Sequence, residues 1–472
     1  MHGPWFVPVN GAAMSRTFDA IIIGAGQAGP PLAGRLTAAG MTVALVERHF
    51  FGGTCVNTGC MPTKTLVASA RVAHLARRAA DYGVVLNGDV SVDLPRVMAR
   101  AHKVTQTSRG NVESWLDGMK QLTVLRGHAR FEGPDELRVN DETIAAPRIF
   151  LNVGGRARVP EEMPGIGDID YLTNTSILEL AALPRHLAVI GGSYIGLEYA
   201  QMFRRFGSQV TVVERQSRLI AREDEDISET VRSILEAEGI TVRTSAECIA
   251  FARHAEGAIV KVDCSSDDRE IVASHVLLAV GRRPNTDDLG LDNAGIKTDE
   301  HGYIIVDDAL ATNVPGIWAM GDCNGRGAFT HTAYNDFEII AANLLDGAQR
   351  RVSSRIPCYA LFTDPPLGRV GMTDAQARAS GKRLLVSKRP MTRVGRAVER
   401  GETQGFMKVV ADADTQRILG AAILGVSGDE AIHGLLDLMN SDQPFTALKW
   451  AVPIHPTVSE LLPTLVGDLK PL

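Results

Sequence analysis

The chain is poor in cysteine, in aromatic residues and in net charge of either sign. It has 6 cysteines among 472 residues, 5% aromatic residues and a formal net charge of −6. So few cysteines exclude the disulfide framework of a secreted protein, and the slightly acidic balance argues against a nucleic-acid or anionic-membrane partner. No apolar run approaches the roughly 20 residues of a membrane-spanning helix. We therefore expect a cytoplasmic protein with no nucleic-acid partner and no membrane partner.

The N-terminal residues lack the basic and apolar segments of a signal peptide. Residues 1–15 are expected to form a flexible lead, and translation from Met14 stays open as an alternative start. The remaining length suffices for two to four domains with their own cores.

Two cysteines, Cys55 and Cys60, lie five positions apart in a glycine-rich segment. In a straight helix these positions are separated by about 7.5 Å along the axis, whereas a disulfide needs Cα atoms within about 4.4–6.8 Å. The segment must therefore bend to close the bond, and Gly52, Gly53 and Gly59 tolerate the backbone angles of a bend.

The residues after Cys60 predict the start of a helix. Pro62 suits a first helical turn, where its missing N–H costs nothing. The positive end of that helix favours a thiolate at Cys60. The segment thus indicates a redox-active dithiol, and the alternative is a pair of buried, unpaired cysteines.

A glycine-rich turn lies about 26 residues before the first of these cysteines. An apolar strand is predicted at residues 18–23, a helix at 30–39 and a second strand at 41–46, which Glu47 follows. The turn between the first strand and the helix contains Gly24, Gly26 and Gly29. This order is typical of a dinucleotide-binding fold, in which the helix N-terminus holds phosphates and the carboxylate accepts a ribose hydroxyl.

The same order recurs 167 positions later. Predicted strands at 186–190 and 209–213 flank a helix at 197–206, and Glu214 closes the second strand. The turn residues that we expect to meet the second dinucleotide are Gly191, Tyr194, Ile195 and Gly196. Ser193 stands where the middle glycine is usual, so the pyrophosphate should be slightly crowded. The carboxylate of Glu214 favours NADH over NADPH because it repels a 2′-phosphate, although Arg215 and Arg218 keep NADPH open.

Taken together, these motifs resemble the class I pyridine nucleotide–disulfide oxidoreductases, a family that includes dihydrolipoamide dehydrogenase, glutathione reductase and mercuric reductase. The resemblance extends from Phe18 to Leu465. It implies an α/β enzyme with two Rossmann-like dinucleotide-binding domains, for FAD and NAD(P), and a C-terminal α+β dimerisation domain. The implied division is a lead at 1–15, FAD domain at 16–150 and 280–345, NAD(P) domain at 151–279 and interface domain at 346–472.

The resemblance also implies roles for individual residues. Hydride would pass from NADH or NADPH to FAD, and electrons would then open the Cys55–Cys60 disulfide, with Cys60 nearer the flavin and Cys55 attacking the acceptor. The implied FAD-binding residues are Gly24, Gly26, Gly29, Glu47, Thr54, Lys64, Gly127, Ala129, Gly321 and Asp322. The implied NAD(P)-binding residues are Gly191, Tyr194, Ile195, Gly196, Glu198, Glu214 and Gly281.

Near the C-terminus, His455 and Glu460 resemble the catalytic His–Glu pair of the family. A histidine is the natural base for thiol chemistry near neutral pH, and a carboxylate orients its ring. In the family this histidine serves the other subunit of a homodimer. The alternative is that His455 only packs in a proline-rich loop. No metal site is expected, because the other cysteines (Cys248, Cys264, Cys323 and Cys358) stand alone and are interpreted as inert.

The sequence does not identify the small-molecule acceptor. The resemblance is closest to mercuric reductase-like proteins. Two features of those enzymes, an N-terminal metal-carrier domain with a Cys-x-x-Cys motif and a C-terminal cysteine pair, are not found in this sequence, so we expect poor turnover of Hg(II). The alternative is a dihydrolipoamide dehydrogenase of a 2-oxoacid dehydrogenase complex. Less favoured alternatives are a glutathione reductase-like enzyme, and a flavin-binding protein with a vestigial redox centre.

Overall fold

The computed structural model describes residues 15–246, 249–262 and 270–472. Most of the predicted lead therefore lies outside the described residues, as do Cys248 and Cys264. The chain forms two compact units. The first comprises the described residues up to Asn57 with Thr105–Arg156 and Arg283–Ser354, and the second comprises the described parts of Thr58–Val104, Ala157–Arg282 and Arg355–Leu472. The domain boundaries predicted above stay predictions.

The helices are numbered in chain order. They are α1 (Gly29–Ala38), α2 (Gly53–Asn57), α3 (Cys60–Arg77), α4 (Leu94–Asp117), α5 (Tyr194–Phe206), α6 (Glu225–Ala237), α7 (Thr330–Leu345), α8 (Asp374–Ala379), α9 (Gly395–Glu399), α10 (Gly428–Ala431), α11 (His433–Asn440), α12 (Phe445–Lys449) and α13 (Leu462–Gly467). Within the described ranges, no helix has the length and apolar character needed to cross a bilayer.

The strands are numbered in the same way. They are β1 (Arg16–Thr17), β2 (Ala20–Ile23), β3 (Val43–Glu47), β4 (Leu122–Arg126), β5 (Ala129–Phe131), β6 (Glu136–Val139), β7 (Glu142–Ala145), β8 (Ile149–Leu151), β9 (Gly155–Ala157), β10 (His186–Ile190), β11 (Gln209–Val213), β12 (Thr241–Arg243), β13 (Ile249–His254), β14 (Gly257–Val262), β15 (Glu270–Ala273), β16 (His275–Leu278), β17 (Arg282–Pro284), β18 (Ile317–Ala319), β19 (Cys358–Leu361), β20 (Leu367–Gly371), β21 (Leu384–Pro390), β22 (Phe406–Asp412), β23 (Ile418–Leu424) and β24 (Lys470–Pro471).

The first unit is built on a parallel sheet in the order β18-β8-β2-β3-β4. Both faces of β2 are buried: Ile21 and Ile23 pack into one apolar cluster, and Ile22 packs into another. Burial on both faces is why these strands read as continuous apolar runs rather than as alternating ones. The late strand β18 pairs with β8, so the chain returns to this sheet after residue 316. The unit also contains a four-stranded sheet in the order β1-β7-β6-β5.

The second unit contains a parallel sheet in the order β12-β11-β10-β16. Helices α3 and α5 pack against each other beside it: Leu66 of α3 lies in the same buried cluster as Leu197 and Phe203 of α5. The unit also has an antiparallel sheet of β13-β14-β15 and a six-stranded sheet in the order β19-β20-β23-β22-β21-β24. The predicted α/β class is thereby confirmed, and the predicted strands of both dinucleotide motifs are observed within two residues of their expected bounds.

A buried ionic cluster ties the start of α6 to the six-stranded sheet of the same unit. Arg369 of β20 is 2% exposed, and its guanidinium donates to Glu223 and to Asp224, the latter at 2.9 Å. Lys408 of β22 reaches Asp224 at 3.0 Å and Asp374 at 2.9 Å. Burial opposes the charge on Asp224, but Lys408 and Arg369 outweigh it and hold its pKa below the ordinary value. Its contribution to stability is therefore present above the ordinary aspartate pKa and is lost as the pH falls through the lowered one.

The cluster predicts a large loss of stability for the substitution Arg369→Met. The change leaves two buried carboxylates without their shared cation, which typically costs about 3–5 kcal/mol. The free energy of unfolding in urea measures the effect. The matched control is Arg383→Met, because Arg383 is 74% exposed and pairs with Asp414 at the surface, where an ion pair is worth about 1 kcal/mol or less. Equal losses in the two variants would contradict the interpretation.

Candidate functional site

The turn between β2 and α1 is so closely packed that a Cβ on any of its three glycines would displace a neighbouring backbone or the side chain of Asn152. Gly24 has φ +102°, and a Cβ there would come within 2.3 Å of the Asn152 carbonyl oxygen. A Cβ on Gly26 would come within 2.9 Å of the Asn152 side chain, and one on Gly29 within 2.2 Å of the Gly24 carbonyl oxygen. The three predicted glycines therefore form one turn that abuts the residue after β8.

Glu47, the last residue of β3, lies directly beside this turn. Its Oε2 accepts the N–H of Ala25 at 2.8 Å, and its Oε1 accepts the N–H of His49 at 2.8 Å. Both oxygens are thus oriented by backbone donors, which places a carboxylate at the end of the strand, where a ribose hydroxyl of a dinucleotide is usually bound.

The second unit repeats this arrangement with different residues. Gly191 has φ +110°, and a Cβ there would come within 2.4 Å of the Ala279 carbonyl oxygen; one on Gly196 would come within 2.1 Å of the Gly191 carbonyl oxygen. Glu214 accepts the N–H of Gly192 at 2.6 Å and that of Gln216 at 2.7 Å. Tyr194 and Ile195 form the first turn of α5, which begins three residues before the predicted helix start at Leu197.

These two turns fit the dinucleotides that the motifs imply. Each joins a parallel strand to a helix N-terminus, each excludes side chains where a pyrophosphate approaches the backbone, and each has a carboxylate oriented beside it. Predicted Gly281, with φ +114°, lies between β16 and β17, close in sequence to the Ala279 carbonyl that backs the second turn.

The segment with the first cysteine is held against the first glycine turn. Gly52 donates its N–H to the Ala25 carbonyl at 2.8 Å, and the Gln27 side chain donates to the Gly52 carbonyl at 2.9 Å. A Cβ on Gly53 would come within 2.8 Å of the Gly26 Cα. Helix α2 begins at Gly53 and contains the predicted site residues Thr54 and Cys55. These contacts therefore place α2, with the half-buried Cys55, against the first glycine turn.

Cys60 begins α3, an 18-residue helix of the second unit, and is exposed. The bend expected from the glycines is observed: α2 ends at Asn57, and Gly59 has the non-helical angles φ −134° and ψ −117°. Pro62 lies in the first turn of α3, as predicted. The start of a long helix is an electrostatically favourable place for a thiolate.

Lys64 and Glu198 form a close ion pair within the second unit. The Lys64 Nζ is 2.7 Å from Glu198 Oε2, and Glu198 is 3% exposed. The other oxygen of Glu198 accepts the N–H of Phe362 at 3.0 Å, and the Phe362 ring lies 4.5 Å from the Lys64 Nζ. Phe362 therefore completes this group, and nothing in its local sequence indicated that it would.

The remaining predicted FAD residues belong to the first unit. Gly127 donates its N–H to the Glu47 carbonyl at 3.0 Å, and β5 begins at Ala129. Gly321, with φ +76°, follows β18 and donates to the buried carboxylate of Asp336 at 2.8 Å. Asp322 begins the short 3₁₀ turn after it. Gly127, Gly321 and Asp322 lie near the ends of strands in the sheet that carries the first glycine turn, and Ala129 begins a strand of the other sheet of this unit.

His455 and Glu460 are in contact. The Nδ1 of His455 is 2.7 Å from Glu460 Oε2, and since a carboxylate only accepts, Nδ1 must carry the proton and donate. Glu460 is 14% exposed, whereas His455 is 79% exposed. Arg396 donates to the Pro456 carbonyl at 3.2 Å and so holds the loop after the histidine. The Nε2 of His455 is left available for proton exchange.

Two cysteines outside the motif are in environments that suppress reactivity. Cys323 is buried, and burial raises its pKa to about 12. Burial also raises the pKa of Cys358. Both findings agree with their interpretation as inert. In the part of the chain that the structure describes, no group of three His, Cys, Asp or Glu residues is placed to hold a metal ion.

Three structural residues were missed by sequence reasoning. Asn152 accepts the Gly29 N–H at 3.0 Å and donates to the Met320 carbonyl at 3.2 Å; its only signal was a polar residue directly after an apolar strand. Gly192, whose N–H binds Glu214, was signalled by the Gly-Gly pair that it forms with Gly191. Phe362 had no signal, because its partners lie far away in sequence.

Comparisons with known proteins agree with this geometry. The sequence model of the family "pyridine nucleotide-disulphide oxidoreductase" matches residues 18–336, and that of its dimerisation domain matches residues 358–466. The probable pyridine nucleotide-disulfide oxidoreductase RclA of Escherichia coli strain K12 is 36% identical, over 96% of this chain and 99% of the relative. A dihydrolipoyl dehydrogenase of Thermus scotoductus is 34% identical, over 94% of this chain and 96% of the relative.

A mercuric reductase of Streptomyces lividans is 35% identical, over 88% of each chain. Among solved structures, the HOCl-induced flavoprotein disulfide reductase RclA from Escherichia coli superposes with a TM-score of 0.87 at 36% identity, covering 96% of this chain and all of that chain. A structure described as the Cu(II) complex of the same protein gives a TM-score of 0.86.

The matches span almost the whole chain and include both the oxidoreductase model and the dimerisation-domain model of this family. FAD is the cofactor that the family implies, and the dimerisation domain indicates a homodimer. The chain is therefore an FAD-dependent enzyme and a member of the class I pyridine nucleotide–disulfide oxidoreductase family.

Proposed function

We propose that the enzyme moves two electrons from a nicotinamide dinucleotide through FAD to a Cys55–Cys60 disulfide and from there to a small-molecule acceptor. The observation that carries this proposal is the attachment of α2 to the first glycine turn. The thiol helix begins at a glycine that has no room for a Cβ beside Gly26, and Gly52 bonds to the same turn on both of its polar groups. A thiol in this position is suited to exchange electrons with a flavin held by that turn.

In this proposal, the residues of the chain bind and orient the two dinucleotides. Gly24, Gly26 and Gly29 would admit the pyrophosphate of FAD, and Glu47 would accept a ribose hydroxyl. When bound, FAD supplies the two-electron chemistry between nicotinamide and disulfide. The proposed domain that holds it comprises residues 16–150 and 280–345, and residues 151–279 would hold NAD(P).

The two thiols have different proposed tasks. Cys60 lies at the start of α3, so the helix stabilises it as a thiolate. Cys55, outside that helix, would attack the acceptor. In the proposed dimer, His455 of the partner subunit would take the proton through Nε2, while Glu460 keeps the proton on Nδ1.

For the nucleotide, we propose a preference for NADH. Glu214 is oriented by two backbone donors at the ribose position, so its charge is held where a 2′-phosphate would lie. The second dinucleotide domain and Tyr194 would then serve NADH more readily than NADPH.

For the acceptor, we propose a soft metal ion or a disulfide in an enzyme of mercuric reductase-like type. Two thiolates are good ligands for soft ions, one similar structure is a Cu(II) complex of RclA, and some relatives are mercuric reductases. The chain's similarity to dihydrolipoyl dehydrogenases supports dihydrolipoamide as the second candidate. Steady-state assays of copper(II), thiol-complexed mercury(II), lipoamide and glutathione disulfide with both nicotinamides rank these candidates.

The variants Cys55→Ser and Cys60→Ser should each reduce acceptor turnover to background, because a serine oxygen cannot form or open the disulfide. Alkylation of the NADH-reduced wild type, followed by mass spectrometry, should label Cys55 before Cys60. Without a cofactor, Cys60 is the more exposed of the two thiols and would be alkylated first. Faster labelling of Cys55 therefore requires that bound flavin shields Cys60. Full turnover in either variant, or labelling in the reverse order, would contradict the assigned roles.

The variant Glu214→Gln should raise the ratio of kcat/KM for NADPH to that for NADH by about tenfold, which corresponds to ~1.4 kcal/mol. The substitution removes the charge that repels a 2′-phosphate but keeps an oxygen that can accept from the turn. The control is Glu256→Gln, an exposed carboxylate of the same unit that pairs with Arg185. An unchanged ratio in Glu214→Gln would show that Glu214 does not select the nucleotide.

The variant His455→Gln should slow acceptor reduction by about 10²–10⁴-fold, the usual contribution of a general base. Rapid-reaction measurements should show that the reduction of flavin by NADH is preserved, since the base acts only after it. His301→Gln is the matched control because His301 is similarly exposed. If both substitutions leave acceptor reduction unchanged, His455 has no part in proton transfer.

A further inference from the structure

Asn57, between the two motif cysteines, is the last residue of α2 and uses its side chain to close that helix. Its Nδ2 donates to the Phe51 carbonyl and to the Gly53 carbonyl, both at 2.9 Å. The side chain therefore joins the last residue of the cysteine helix to its first residue and to the segment before it. A helix of five residues is far too short to be stable by itself, so its shape depends on bonds of this kind as well as on the contacts of Gly52 and Gly53 with the first glycine turn.

The orientation of this amide is set from a different part of the first unit. Arg109 of α4 donates from Nε to Asn57 Oδ1 at 2.8 Å. Because the guanidinium only donates, the amide oxygen must face it, and both amide hydrogens are then directed to the two carbonyls. Arg109 is separated from Asn57 by 52 positions in sequence.

Arg109 is itself held in place. Its guanidinium carbon lies 3.9 Å from the centre of the Phe50 ring. Phe50 lies two positions before Gly52, which is hydrogen-bonded to the first glycine turn. On the same helix, Leu116 is buried in the core of the first unit, which anchors α4. Arg109 thus contacts the cysteine segment on both sides of Cys55, through Phe50 and through Asn57.

We infer that Arg109 is a positioning residue of the redox centre, which acts through Asn57 to hold the Cys55 helix in the geometry of disulfide exchange. The inference rests on the proposed function, since it takes Cys55 and Cys60 to be the redox couple. Neither Arg109 nor Asn57 exchanges electrons or protons with the acceptor.

The chemical consequence concerns the equilibrium of the couple. Reduction of the disulfide takes two electrons and two protons and breaks the S–S bond to give two thiols; oxidation reverses this. A thiol held near its partner has a high effective concentration and closes the disulfide readily. A looser α2 lowers this concentration, so the disulfide becomes easier to reduce and its potential becomes more positive.

The test is the redox equilibrium of the holoenzyme in buffers of reduced and oxidised dithiothreitol, read by alkylation and mass spectrometry of Cys55 and Cys60. Arg109→Met keeps the length of the side chain but removes its donors and charge. It should shift the equilibrium constant toward the dithiol by about tenfold, or ~30 mV for a two-electron couple. The control is Arg96→Met, the same change at an exposed residue of the same helix, which should leave the constant unchanged.

A double-mutant cycle tests the route through Asn57. If Arg109 acts through this residue, Arg109→Met should cause little further shift in an Asn57→Ala background. Additive shifts in the two variants would overturn the inference. An Arg109→Met shift no larger than that of Arg96→Met would also overturn it, and this comparison does not require an Asn57 variant. If wild-type Cys55 and Cys60 fail to titrate together, the proposed function is wrong, which is distinct from a failure of this inference.

Discussion

The site depends on the approach of one backbone to another at glycine. At the first turn, Gly24 lies against the carbonyl of Asn152, and Gly53 of the cysteine helix lies against Gly26. Neither contact leaves room for a Cβ, so the strand, the dinucleotide turn and the thiol helix keep a mutual distance that side chains could not maintain. A side chain can change rotamer to relieve a close contact, whereas a contact between two backbones can be relieved only by moving the chain. The chemistry that we propose needs this close placement of a thiol and a flavin.

The second unit uses the same construction for a different task. In each turn, one carboxylate accepts two backbone N–H groups. The first belongs to the residue after the first glycine, which is Ala25 or Gly192, and the second to the residue two positions after the carboxylate, which is His49 or Gln216. The repeat therefore extends from sequence to individual hydrogen bonds. The difference lies in what is attached: α2 is bound to the first turn, while the second turn leads into α5, which carries Glu198 toward Lys64 and Phe362.

Much of the fold was predictable because its signals are local. The strands, the glycine turns, Glu47 and Glu214, and the start of α3 at Cys60 follow from short patterns in which neighbouring residues determine the structure. The contact between His455 and Glu460 also joins residues close in sequence. The family and its FAD chemistry followed from several such motifs together.

The rest required the tertiary structure. Arg109 binds Asn57, 52 positions away, Asn152 binds Gly29, 123 positions away, and Phe362 binds Glu198, 164 positions away. A single sequence carries no mark of such pairings. The domain boundaries, the roles of the site residues and the choice of acceptor stay predictions for the same reason. Each depends on surfaces assembled from several separated segments.

The most direct test of the central claim is a count of thiols after anaerobic addition of one equivalent of NADH to the oxidised holoenzyme. The account predicts that both Cys55 and Cys60 are alkylated by the end of the reaction, two thiols per subunit, while the visible absorbance of oxidised flavin is largely retained and gains a long-wavelength band. Bleaching of the flavin with no gain of thiols would contradict the account.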